Sequence, residues 1–469
     1  MPHQDRARVL FAEALSGRLD RRQIVKRAAA LGLAAPVAAA LAQAGGMASA
    51  RSALAAQSEE GTLSITYYDW ILNLHSPITE IDAAFNETFP LDAEVAPSAR
   101  FSTDVFFTEA RDKTSSWDLY IGVTPFLEMV QLADGGIIEP WDSYIDPALL
   151  ASIQPAVRAE GTYKDKFYVW PFLLDVIVQG WNAEILTRAE IDPEAAPATW
   201  DEYLANARTV RDSGAAPFGC TYDFHAWRSL IPITHSISTD VYDPETGLFQ
   251  WNSEPAVQAL EIMKQMTELA NPDVLNEGTS DAGVNGTPDE QAFAAQQVAY
   301  YIKYQNAHLR FAGTWPDPAA LRLATLPKAE AGAGGTVFWD TGAVLMTYGK
   351  NKEQAAAYME TLTNDQKLWE HSVTGAPPDE TAVGQLPVYQ TIWDEYKVNR
   401  PAWMTDWAFA IYDGLADAKA ITPTRLSISQ FDRAAPHYVA YLKGEESDPK
   451  VALTKAMDAV MEEYQKAIE

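Results

Sequence analysis

"WDLYIGVTPFLEMVQLADGG", residues Trp117 to Gly136, holds a complete strand-to-helix unit. Leu119 to Val123 is a short apolar run with the composition of a buried strand. Thr124 then offers an N-cap oxygen, and Pro125 suits a first helical position, where the amide would have no partner. Apolar residues continue to the Gly135-Gly136 stop. The unit recurs upstream. In "TLSITYYDW", Leu63, Ile65 and Tyr67 alternate with Ser64, Thr66 and Tyr68, and the spacing predicts a strand. Ser76 as N-cap, Pro77, and Ile78, Ile81 and Phe85 at helical spacing predict the helix after it. Downstream, "VWPFLLDVIVQGWN" reads as a buried strand, and "ATWDEYLANARTVRDSG" as a helix with a Thr199–Glu202 capping box and a Gly214 stop. "NSEPAVQALEIMKQMTELA" sets Val257, Leu260, Met263 and Met266 on one face behind a Ser253 cap. "LRLATLP" and "TGAVLMTYG" read as strands, and the chain from Asp448-Pro449 as a final amphipathic helix. Strands alternating with helices predict an α/β fold with a mostly parallel sheet, and 469 residues suit two such domains.

The N-terminus is of a different kind. Ala28 to Ala42 carries no charge, but it is shorter than the roughly 20 apolar residues a membrane-spanning helix needs. Arg21, Arg22, Lys26 and Arg27 precede it and Ala40-Leu41-Ala42 closes it, the pattern of a cleaved export signal. Asp20-Arg21-Arg22-Gln23-Ile24-Val25-Lys26 resembles a twin-arginine motif, so residues 1–57 are expected to be signal and leader, with cleavage between 42 and 58. The remainder carries 27 basic against 61 acidic residues, near −34. That balance argues against nucleic acid and anionic lipid surfaces, which recruit basic patches. Cys220 is the only cysteine, which excludes an intramolecular disulfide and a cysteine-rich zinc site. No cysteine follows the apolar run, so no lipid anchor is expected and the protein should diffuse in a periplasm.

Familiar catalytic signatures are missing from the sequence. "GAGG", Gly332 to Gly335, has Val337 where a dinucleotide fingerprint needs glycine. There is no phosphate-binding G-x-x-x-x-G-K-[ST], no H-E-x-x-H among seven histidines, and no G-x-S-x-G. His225 and His235 stand isolated, and no cofactor or metal is expected. Aromatic residues beside acids are the distinctive feature: Tyr68-Asp69-Trp70, Trp117-Asp118, Tyr222-Asp223-Phe224, Trp339-Asp340 and Trp403-Met404-Thr405-Asp406-Trp407. Ring faces stack on the C–H faces of sugars and carboxylates accept hydroxyl hydrogens, the chemistry of a ligand cleft with a few polar anchors. Packing in the core is the competing role for each ring.

In this order the segments resemble the extracellular solute-binding proteins of ABC importers, in their maltose-binding-like, sugar-binding class. "SSWDLYIGVTPFLEMVQLADGGIIEPWDSYI", "VWPFLLDVIVQGWNAEIL" with Trp181-Asn182 for Tyr-Asn, "ATWDEYLANARTV", "GLFQWNSEPAVQALEIMKQM", and "EQAFAAQQVAYYIKYQN" with Gln296 where glycine is usual carry the likeness. The resemblance implies a two-lobed periplasmic binding protein fold of type II kind, with a hinge and discontinuous lobes. Residues 58–172 and 311–371 would form lobe 1, and 173–310 and 372–469 lobe 2. It implies no catalysis, a monomer, and delivery of a sugar, oligosaccharide or polyol to the inner-membrane permease of an ABC transporter. The ligand residues it implies are Asp69 and Trp70, Thr124 and Phe126, Asp175 past the first crossing, Tyr222, Asp223, His225 and Trp227, Tyr304 and Asn306, and Trp339, Asp340 and Trp403. A secreted carbohydrate-active enzyme, or the same fold holding a polyamine or other charged solute, are the alternatives.

Overall fold

The computed structural model describes residues 62–89, 92–98, 104–276, 286–329, 335–375 and 382–468. The expected export signal, its cleavage zone and most of the "GAGG" turn lie outside them. The chain forms two compact units of discontinuous segments. Unit 1 takes the chain up to Ile121, Gly136–Ile145 and Ala343–Asp365, and unit 2 takes Gly122–Gly135, Asp146–Gly342 and Gln366–Glu469. These change-over points are other than the lobe limits implied by the resemblance.

Unit 1 is built on β1 (Leu63–Tyr68), β2 (Ala93–Ser98) and β3 (Leu119–Val123), in the order β2-β1-β3. All are parallel, with Leu63 opposite Ala93 and Ile65 opposite Leu119. Parallel strands need crossover connections, and the Pro77–Thr88 helix supplies the first, burying Ile78, Ile81 and Phe85. Ser76 itself is helical in backbone and makes no side-chain cap, so Pro77 alone marks the start. Asp118 ties the unit together. Its carboxylate accepts from the amides of Ser64, Lys350 and Asn351 at 3.0, 2.6 and 3.0 Å, and from Asn351 Nδ2 at 3.1 Å. A second polar knot joins Tyr67 and Tyr358 through their hydroxyls, with Tyr358 donating to Asp82. The short β4 (Ile138–Glu139) pairs antiparallel with residues 345 and 346.

Unit 2 begins with a π turn, Pro125–Met129, continued by a helix at Val130–Asp134, so the helix expected from Pro125 starts wide. Thr124 caps it through its carbonyl, which accepts from Leu127 and Glu128, and not through its side chain. After the two-stranded β5 (Thr162–Tyr163) and β6 (Lys166–Phe167) comes β7 (Trp170–Asn182), buried along its whole length. β8 (Phe218–Tyr222) runs parallel to β9 (Val298–Tyr304). β9 and β10 (Leu321–Thr325) both run antiparallel to β7, and β11 (Val337–Met346) neighbours it, with β12 (Lys419–Ala420) parallel to β11. The sheet is therefore mixed here, against the mostly parallel expectation. Strands distant in sequence return beside β7, and the alternation of strand and helix does not encode their direction.

Helices Trp200–Ser213, Glu254–Leu269, Ser429–Lys443 and Pro449–Ile468 enclose the unit-2 core. Thr199 caps the first, Gly214 closes it at φ +73°, and Ser253 caps the second. Val257, Leu260, Met263 and Met266 are buried as their spacing predicts, each fully buried side chain stabilising by roughly 1.5–3 kcal/mol. Asn182 Oδ1 accepts from Ile185 N at 3.1 Å and so caps the helix that follows β7. Cys220 lies in this core, and burial pushes its thiol up to about 12. Among the described residues no helix is long and apolar enough to cross a membrane.

Candidate functional site

Four of the expected ring-bearing residues converge inside unit 2. Trp339 on β11 lies 5.2 Å from Trp227, 5.6 Å from Tyr304 and 6.3 Å from Phe126 between ring centroids, each pair edge to face. Phe126 also meets Trp227 at 5.6 Å and Phe431 at 5.8 Å. The elements explain the convergence. The π turn delivers Phe126, the loop after β8 delivers Trp227, the end of β9 delivers Tyr304, and β11 delivers Trp339.

Charged groups lie beneath the rings. The Arg228 guanidinium stands 4.0 Å over the Trp227 ring and 5.6 Å from that of Tyr304. Its Nη1 donates to Asp223 Oδ2 at 2.6 Å. Lys303, wholly buried, sits 3.0 Å from Asp223, 2.7 Å from Asp289 and 2.9 Å from Glu290. Burial disfavours charge on Lys303, but the three carboxylates outweigh it and hold the ammonium well above its usual range. Asp223 is the converse: burial opposes its charge, and Lys303 and Arg228 hold it well below the usual carboxylate range. His225 Nδ1 lies 2.6 Å from Asp223 Oδ1, with its ring stacked on Phe224. Arg228 is thus anchored from below and faces the rings above.

Asp175 forms the polar side of the site. Residues 174 and 386 bridge antiparallel, which sets Asp175 and Gln385 opposite one another. Gln385 Nε2 donates to Asp175 Oδ2 at 3.0 Å. The Gln305 side chain clamps the flanking backbone, accepting from Val176 N at 2.7 Å and donating to Leu174 O at 2.8 Å. Asp175 Oδ1, Gln385 Oε1, Asn306 Oδ1 and Arg228 Nε are buried without hydrogen-bond partners. Burial pushes the Asp175 carboxyl up to about 7, even with the Gln385 bond and the fields of Arg310 and Arg228 drawing it down. Asp340 lies behind it, where its Oδ1 accepts from Phe172 N at 2.8 Å and its own amide donates to Glu160. Burial raises both the Asp340 and the Glu160 carboxyl well above the usual range.

The remaining expected residues lie elsewhere. Tyr222 turns into the core, its hydroxyl 2.6 Å from Thr267 Oγ1. Trp403 packs edge to face on Tyr396 at 5.5 Å. Asp69 and Trp70 open the helix Asp69–Leu74 in unit 1, with Asp69 exposed. Thr124 is buried at the head of the π turn. Sequence reasoning passed over Arg228, Lys303, Asp289, Glu290, Gln305, Arg310 and Gln385. Arg228, next to Trp227, was within reach of it. Gln385 was not, because the strand-like bridge that brings it to Asp175 leaves no period in the sequence. Among the described residues no three His, Cys, Asp or Glu side chains are placed to hold a metal ion.

A buried cluster of aromatic rings around a fixed guanidinium, with unpaired buried oxygens on Asp175, Gln385 and Asn306, offers a compact polar molecule stacking faces and hydrogen-bond acceptors. Comparison with known proteins identifies the family of the fold. The family model of the bacterial extracellular solute-binding protein matches residues 78–367. A maltotriose-binding protein of Pyrococcus abyssi (strain GE5 / Orsay) is 26% identical over 97 residues, a match spanning 21% of this chain and only 20% of that protein's length. The GacH receptor of Streptomyces glaucescens GLA.O, solved unliganded and in complex with acarbose, superposes with a TM-score of 0.67 at 16% identity, covering 87% of this chain and 99% of that one. An ABC transporter solute-binding protein from Thermotoga lettingae TMO, bound with alpha-D-tagatose, gives 0.68 at 19%, covering 86% and 99%. These likenesses show a common fold, and the family match spans most of the chain: it belongs to the bacterial extracellular solute-binding proteins.

Proposed function

We propose that this protein is the periplasmic substrate-binding component of an ABC transporter and that it takes a saccharide, a sugar or short oligosaccharide, without chemically altering it. The observation that carries the reading is the gathering of Phe126, Trp227, Tyr304 and Trp339 around Arg228, whose field reaches Asp175, together with the unpaired buried oxygens of Asp175, Gln385 and Asn306. A pyranose offers apolar C–H faces to rings and hydroxyl donors to such acceptors. Solved neighbours of the same fold hold acarbose, tagatose and maltotetraose, which favours the saccharide class over a charged solute. The N-terminal basic and apolar segment would direct export by the twin-arginine route, and an inner-membrane permease would receive the ligand.

A thermal-shift screen of the purified protein with maltotriose, acarbose, tagatose, polyols and spermidine tests the reading. A ligand that binds only the folded state at a hundredfold excess over Kd stabilises it by about 2.7 kcal/mol, so a saccharide should raise the melting temperature by several degrees. Stabilisation by spermidine alone would replace the saccharide reading, and hydrolysis of a bound oligosaccharide would replace the non-catalytic one.

A further inference from the structure

Asp175 is held more tightly than a cleft-facing anchor needs. The Gln305 amide stands in for a neighbouring strand on its backbone, and Gln385 pins one oxygen of its carboxyl. Gln385 is fully buried, and Ser372 Oγ holds its carbonyl at 2.6 Å. Three buried acceptors here have no donor: Asp175 Oδ1, Gln385 Oε1 and Asn306 Oδ1. An unpaired buried polar group is costly, so this arrangement calls for hydrogens. Two sources exist: the hydroxyls of a ligand, or a proton on Asp175 itself.

We propose that Gln385 is the positioning residue of Asp175, and that the pair exchanges a solvent proton for a ligand hydroxyl. In the empty site the proton rests on Asp175 and satisfies a neighbouring amide oxygen. When ligand enters, Gln385 Nε2 keeps its bond to Oδ2, Oδ1 accepts the hydroxyl, and the proton leaves to water. The groups that set this balance face Asp175 from every packed element: Arg310 on the Gln305–Ala312 helix, Arg228 after β8, Asp340 on β11, and Gln385 opposite. Burial disfavours charge on Asp340 and on Glu160 behind it, while Arg310 and Arg228 draw the Asp175 carboxyl down. The ionisation falls near neutrality, since burial lifts the Asp175 carboxyl to about 7. The ligand half of the proposal rests on the saccharide reading above, while the proton half does not.

The test has two arms. In the ligand-free protein, carbon-13 carboxyl NMR should show one group titrating near pH 7 that vanishes in Asp175→Asn and moves upward in Gln385→Met, which keeps the side chain's bulk but removes the donor. Titration of Asp175 near pH 4, or no movement in a folded Gln385→Met, would overturn the proposal. Should that variant fail to fold, the comparison of wild type with Asp175→Asn still decides whether the proton is there. In calorimetry with maltotriose, affinity should rise about tenfold from pH 6 to pH 8 in wild type, the span over which a group of pKa near 7 goes from mostly protonated to mostly ionised, and stay level in Asp175→Asn. Proton release of up to one per ligand should appear as a dependence on buffer ionisation heat. A pH-independent maltotriose affinity in wild type would overturn the proposal. If maltotriose, acarbose and tagatose all fail to bind at any pH while the ligand-free titration behaves as described, the saccharide reading fails and the Asp175–Gln385 pair stands.

Discussion

Asp82 shows how a single half-buried carboxyl sets a pH limit on this fold. Burial raises it to about 6 although Tyr358 donates to it, and Tyr67 continues the chain of hydroxyls. A carboxyl whose folded pKa lies above its unfolded value of about 3.9 supports folding most fully below the unfolded value, and that support is lost as pH rises through about 6. Asp82→Asn keeps an acceptor for Tyr358 and never ionises. It should raise the melting temperature at pH 8, by an effect of at most about 3 kcal/mol for a shift of some two units, and leave it unchanged at pH 4. Calorimetric melts of both proteins across that range check the sign, and equal melting at pH 8 would contradict it. His235 opposes Asp82 on the acid side. Burial lowers it to about 3, so the unfolded chain takes up its proton first and stability falls as pH drops below about 6.5.

At the scale of elements, local chemistry was largely legible and tertiary pairing was not. Thr199 with Glu202, Gly214 and Ser253 mark helix ends because each acts on its own turn of chain. Leu119–Val123 stands as its apolar run indicated. The Asp175–Gln385 pair joins residues 210 apart, and the ion cluster beneath Arg228 collects Asp223, Asp289, Glu290 and Lys303 from three elements. No period or cap announces such meetings. Of the candidate site, the aromatic half was therefore visible, through residue type, and the polar half was visible only at Asp175, Asp223, His225, Asn306 and Asp340. Gln296 shows a local signal whose reason only the structure supplies. It stands where a glycine is usual in the resembling segment, and its backbone is left-handed at φ +53° between the Pro288–Ala294 helix and β9. A side chain in that region costs about 1–2 kcal/mol, partly offset by the entropy glycine loses on folding. Gln296→Gly should stabilise the protein by about 0.5–1 kcal/mol in urea unfolding with an unchanged slope. A loss of stability would show that Gln296 is not strained.

At the scale of the whole molecule, the decisive fact is interleaving. Unit 1 is completed only when residues 343–365 are made, and these bring Val344, Leu345, Tyr358, Met359 and Leu362 into its core, with Lys350 and Asn351 on Asp118. Unit 2 is likewise closed only by the helices Ser429–Lys443 and Pro449–Ile468. A chain cut after residue 342 should lack a protected unit 1 and an enclosed unit 2. Limited proteolysis and circular dichroism of that fragment check this, and a stable fragment would show that one unit folds without its last segment. Contacts so distant in sequence also predict slow folding.

The buried thiol of Cys220 has a practical consequence. With its sulfur shielded in the unit-2 core and its ionisation pushed to about 12, the side chain is inert to maleimides and other thiolate-seeking dyes while the protein is folded. The sequence has no other cysteine. The molecule therefore arrives with a blank surface for attachment chemistry. One cysteine placed on an exposed helix can carry an environment-sensitive fluorophore at a single defined point, with no native residue to remove first. That makes the protein a ready scaffold for a reagentless optical sensor of whatever solute it captures.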